Sequence, residues 1–238
     1  PLLIREHPCE RLLPWSTGVE RPQGPRAGSK TWQAIVIGLF RAIVLPMSLL
    51  LILIEACNRI TSGILIGLAP MVTIQELGWT QITYANWIAI TGVTAAVLGV
   101  LCSPWIDRVG ALRILKWVVM FRIGLLGLTA ALEPYWGIHQ VFESFLMMNA
   151  VATQLVTVTL IALFMRLCSP RVAASQFAVY MALANMTYSL GSGLMVPLSH
   201  WTHQAGIMLV CAALIALMWL LIHWVDFERH DQDLNKLS

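Results

Sequence analysis

Residues 46–72 read PMSLLLILIEACNRITSGILIGLAPMV. Crossing roughly 30 Å of hydrocarbon takes about 20 mainly apolar residues, and this run is long enough. It carries Glu55, Asn58 and Arg59 near its middle. Ionisable groups at that depth are costly and usually mark a function. Glu55 and Arg59 stand four apart, so they share one helix face, with the acid N-terminal to the base, the better order for an ion pair. Two readings follow: a substrate- or proton-handling group facing a central cavity, or a structural pair locking this helix to a neighbour.

Five more runs pass the same test, at about 84–101, 112–132, 140–167, 173–198 and 204–225. They are long and do not alternate, which argues against barrel strands. The composition agrees: 58% of the 238 residues are hydrophobic and 11% charged, where a soluble domain carries about a quarter charged. The expected fold class is an all-α membrane protein with a six-helix bundle over 46–225. Residues 31–45 carry Trp32, Ile35, Leu39 and Phe40 on one side and read as an interfacial helix or an inward extension of the first span. Residues 1–30 are polar and rich in Pro, Gly and Arg, unlike a signal peptide. Residues 226–238 form a short polar tail.

Basic residues set the orientation. Residues 75–83, 133–139 and 199–203 have no Lys or Arg, whereas Arg108, Arg113 and Lys116 follow the second span and Arg166 and Arg171 follow the fourth. Six more precede the first span, and Arg229 and Lys236 follow the last. Both termini and the even-numbered connections are therefore expected in the cytoplasm, the protein lying in the cytoplasmic (inner) membrane. The net charge of +3 forms no stripe, so no nucleic-acid partner is expected.

Other polar residues sit within spans. Arg122 lies one to two turns inside the third and either snorkels to the interface, the favoured reading, or faces a cavity. Glu143, near the outer end of the fourth span, reaches water. Asn149 and Thr153 share a face of the fourth span, as do Gln176 and Tyr180 of the fifth; Asn185, Thr187 and Tyr188 follow. Such a band lines an aqueous path or makes interhelical hydrogen bonds. Small-residue spacings at Gly92/Ala96, Ala95/Gly99 and Ser189/Gly193 permit close helix approach.

The five cysteines are scattered, and His200 and His203 have no third ligand near in sequence. No metal and no cofactor are expected. There is no phosphate-cradling loop, nucleophile elbow or HExxH, so nothing argues for an enzyme.

The connection after the second span reads Ser103-Pro-Trp-Ile-Asp107-Arg108-Val-Gly110-Ala-Leu-Arg113. It resembles the cytoplasmic loop signature of the major facilitator superfamily, Gly-x-x-x-Asp-Arg-x-Gly-Arg-Arg. Asp107, Arg108 and Gly110 match; Ser103 stands at the first Gly, Ala111 and Leu112 at the basic pair, with Arg113 one place late. Residues 175–185, SQFAVYMALAN, resemble the opening of helix 11 in the AmpG-type branch, which includes muropeptide, acetyl-coenzyme A and siderophore carriers. Residues 10–15, ERLLPW, resemble the central loop joining the two halves of such carriers. The resemblance implies that this chain is the C-terminal six-helix half of a twelve-helix fold, its first span being helix 7.

It further implies a permease moving a small amphiphilic solute by proton symport, and a missing N-terminal half or partner membrane subunit. Asp107, Arg108, Gly110 and Arg113 would form a cytoplasmic gate. Glu55, Asn58, Arg59, Arg122, Asn149, Gln176, Tyr180 and Asn185 would line the substrate and proton path, Glu55 carrying the proton. The rival is a non-transporting scaffold subunit of a larger membrane complex; a homodimer of halves is a third option.

Overall fold

The computed structural model describes residues 40, 43–168 and 173–225. The expected central-loop segment 1–30, most of the interfacial helix and the tail lie outside the described residues. Among the described residues six long helices follow one another: α1 Pro46–Pro70, α2 Gln81–Val109, α3 Ala111–Ala131, α4 His139–Leu167, α5 Ala173–Trp201 and α6 Gln204–Ile222. No strand occurs among the described residues. By length and composition, five of the helices can cross a membrane. The exception, α5, is as long as α2 and α4 at 29 residues. Gln176, Asn185, Thr187, Ser189 and Ser192 lower its hydropathy.

Boundaries differ from expectation where local chemistry overrides hydropathy. α2 begins before residue 84 because the Thr80 hydroxyl caps it, accepting from the Thr83 amide at 3.1 Å. It runs past residue 101 to Val109 and ends at Gly110, whose φ of 98° suits a residue without a side chain. Gly110 alone joins α2 to α3. α1 contains Pro70, which brings no amide donor, and the next turn, Met71–Glu76, is wound as a π-helix. Beyond it the Trp79 indole donates to His139 Nδ1 at 2.9 Å, tying the loop to the start of α4.

The packing repeats itself. α1 packs along α5 and α6, α4 packs along α2 and α3, and α3 packs along α6. Exchanging α1–α3 with α4–α6 leaves this set of pairings unchanged. Three helices per half also reverse the helix directions on exchange, which is the pattern of an inverted-topology repeat. α2 and α5, equivalent under the exchange, stay mostly exposed: α2 buries Thr91, Ala95, Gly99 and Ile106, and α5 buries Gln176, Tyr180, Ala184, Gly191 and Met195.

Helix association in lipid depends on close packing rather than on expulsion of water, so the tightest crossing matters most. It lies between α1 and α5. A Cβ on Gly63 would meet the Tyr188 carbonyl oxygen and lie 2.7 Å from the Ser192 nitrogen; one on Gly191 would meet the Ile60 carbonyl oxygen and lie 2.8 Å from the Ile60 Cα. The small-residue spacings pointed to other residues than these two glycines. Gly92 and Gly193 have open space beside them, while Gly99 rests against the Gln154 side chain of α4. Spacing marks where approach is permitted; the neighbour's position decides where it happens.

Candidate functional site

The stripe Ser48, Glu55, Asn58, Arg59, Ser62 follows one side of α1 at helical spacing. Its central members carry a polar network. Arg59 Nε donates to Glu55 Oε1 at 2.5 Å, and Asn58 Nδ2 approaches Glu55 Oε2 at 3.4 Å. The pairing within the helix is the one the four-residue spacing called for.

Arg122 of α3 joins the network from across the bundle. Its Nη1 donates to Asn58 Oδ1 at 2.6 Å, its Nε to Asn149 Oδ1 of α4 at 3.3 Å, and its Nη2 to Ser62 Oγ at 3.4 Å. Arg122 is 0% exposed. This corrects the snorkelling expectation: the guanidinium turns inward because three acceptors on two other helices meet it there. The fork shape of the group suits such divided contacts. Arg122 has no carboxylate at ion-pair distance among the described residues. The network thus holds two arginines and one glutamate, and the glutamate pairs with Arg59 alone.

Above this network lies a cavity of about 330 Å³, within the size range of small-molecule sites. Arg59, Ser62, Asn149, Thr153, Gln154, Tyr84 and Tyr188 give it polar edges; Leu65, Ile88, Phe142, Phe145, Leu146 and Met208 give it apolar walls. Thr153 Oγ1 is buried and has no hydrogen-bond partner among the described residues. A buried hydroxyl without a partner is uncommon in a protein interior.

The other expected path residues divide. Gln176 and Tyr180 do not line this cavity. Gln176 Nε2 donates to the Tyr180 hydroxyl at 2.6 Å, and that hydroxyl donates to Ser48 Oγ of α1 at 3.1 Å. Tyr180 then reaches a separate gap of about 10 Å³ that Glu55, Phe164 and Thr187 also line. Glu55 therefore has the ion pair on one side and this gap on the other. Asn185 is exposed and joins neither group. Asp107, Arg108 and Arg113 are exposed around the Gly110 turn and make no ion pair among the described residues.

Four polar residues, Ser48, Ser62, Tyr84 and Thr91, the last of which also lines the cavity, went unnoticed in the sequence. Ser48 and Ser62 were detectable, since they continue the Glu55 stripe by whole turns. Tyr84 and Thr91 carried no local signal, because their role depends on α2 facing α4.

A family model, that of the Major Facilitator Superfamily, matches residues 51–237. No curated protein and no solved structure gives a match.

Proposed function

The chain belongs to the major facilitator superfamily, and on that premise we propose that it is one half of a proton-coupled secondary carrier for a small amphiphilic solute. The observation that carries the reading is the Arg59–Glu55–Asn58–Arg122–Asn149 network at the edge of the 330 Å³ cavity. Charged groups are retained inside a membrane bundle where they handle charge. Glu55 is the proton carrier: protonation removes its attraction for Arg59 and changes the cavity edge. Ser48, Gln176 and Tyr180 serve the proton side of Glu55, and Arg59, Asn149 and Thr153 the solute side. Arg122 holds α1, α3 and α4 together around the site.

The half is the C-terminal one, of the AmpG-like branch, in the cytoplasmic membrane with both termini inside. The other six helices seat against α2 and α5, the two helices with the most exposed surface. The substrate site then lies between the halves, and their rocking alternates its access. Asp107, Arg108, Gly110 and Arg113 form the cytoplasmic gate, their charges meeting partners on the other half.

The test uses the protein isolated intact from its native membrane. An intact mass roughly twice that of this chain is expected for a two-half carrier. In vesicles with an imposed pH gradient, solute uptake and proton movement should rise together, and E55Q should uncouple them. If E55Q and R59A leave uptake and every cellular phenotype intact while changes on outward faces disrupt assembly, the protein is a scaffold instead.

A further inference from the structure

The cavity is divided by depth. Arg59 and Ser62 lie near mid-helix on α1, and Asn149 and Thr153 meet them from α4. Toward the C-terminal end of α1 and the N-terminal end of α4, the lining becomes Leu65, Phe142, Phe145 and Leu146. A solute filling it would place a polar end at mid-depth and an apolar body toward the end where α1 meets its π-helical turn.

The polar end also has a sign. Arg59 and Arg122 carry two positive charges, and Glu55 is the acid within their network. The other described acids lie elsewhere: Glu76 accepts from Gln204 at the far end of the bundle, Asp107 is exposed at the opposite end, Glu133 sits in the turn after α3, and Glu143 is in the first turns of α4. A positive excess in a low-dielectric bundle is unfavourable until an anion balances it. Arg122 is fully enclosed by neutral acceptors, whereas Arg59 keeps 23% of its side chain exposed and lines the cavity. The group able to meet an incoming anion is therefore Arg59, and its present partner is Glu55.

We propose that Arg59, released from Glu55, binds the carboxylate or phosphate end of an amphiphilic solute, with Thr153 Oγ1 as a further donor and the apolar body against Phe142 and Phe145. Glu55 and the solute's anion compete for one guanidinium, so binding of the anion favours a proton on Glu55. The groups facing Glu55 are Arg59 on its own helix, Arg122 of α3 through Asn58, and Tyr180 of α5 across the small gap; α4 presents Phe164 there, and Cys211 of α6 lies beside Arg122. Neither cation follows the proton: each stays charged, and the anion replaces the charge that Glu55 loses. The inference rests on the cavity being the carrier's solute site.

The probes are three near-isosteric compounds: naphthylacetate, naphthylacetamide and naphthylethylamine, titrated calorimetrically into the intact protein in lipid nanodiscs, in two buffers of different ionisation enthalpy. The anion should bind at least about tenfold more tightly than the amide, as a charge-assisted contact implies, with uptake of roughly one proton per anion bound. E55Q should keep the anion preference and lose the proton uptake. R59Q should bring anion and amide to within about twofold, and R59K should restore part of the difference. Equal binding of the three probes to the wild type, which requires no variant to fold, overturns the inference. So does an anion preference that survives R59Q. Anion binding with proton uptake but without flux in vesicles upholds the subsite and defeats the carrier reading.

Discussion

R122K is the sharpest test of how this bundle is held together. Lysine keeps the charge, so the cost of burying a cation stays in place. What changes is geometry. The guanidinium divides its nitrogens between Asn58 Oδ1 at 2.6 Å and Asn149 Oδ1 at 3.3 Å, on two different helices. A single ammonium cannot hold both positions. One charge-assisted hydrogen bond should be lost and its amide oxygen left buried, a destabilisation of roughly 1–3 kcal/mol. That corresponds to roughly a five- to 150-fold rise in the population of opened bundle. Cys57 and Cys211, 4% and 0% exposed on α1 and α6, report the opening, because their thiols react with a maleimide only when the helices separate. Their labelling rate in R122K should rise by that factor, while R166K, at an exposed site outside the network and the gate, should label at the wild-type rate. Wild-type labelling in R122K would show that Arg122 does not staple α1 to α4, and the account of the network would be wrong.

Three other perturbations bear on packing, proton path and cavity. G63A or G191A forces a methyl into the facing backbone of the α1/α5 crossing and should cost at least about 1–3 kcal/mol, seen as a lower thermal midpoint in detergent; G193A, with open space beside it, should leave the midpoint unchanged. Y180F removes the hydroxyl between Gln176 and Ser48 and should slow coupled proton movement with a stability loss of only about 1 kcal/mol; unchanged proton flux would exclude Tyr180 from the path. A150C should react with a water-soluble charged thiol reagent, since this half-buried position lines the cavity, and Q176C, at a fully buried position, should not; equal reactivity would mean that the two polar groups share one aqueous space.

Interactions between residues one helical turn apart were legible in the sequence, because a helix sets them without reference to anything else. The Glu55–Arg59 pair and the Gln176–Tyr180 contact are of this kind. The spans themselves followed from hydropathy, since lipid selects apolar runs of sufficient length. The same test also admitted α5, whose polar residues leave it short of the composition that the other five helices have. What the sequence left open was which helix faces meet. Arg122 has the same local surroundings whether it snorkels or turns inward; only the arrival of Asn58 and Ser62, 64 and 60 residues earlier in the chain, and of Asn149, 27 residues later, decides between them. Gly63 and Gly191 likewise became the tight crossing because α1 and α5 were brought together there. The cavity, its polar depth and the separation of Gln176 and Tyr180 from it are properties of packed helices, and one-dimensional periodicity holds no information on rotation about one helix axis relative to another.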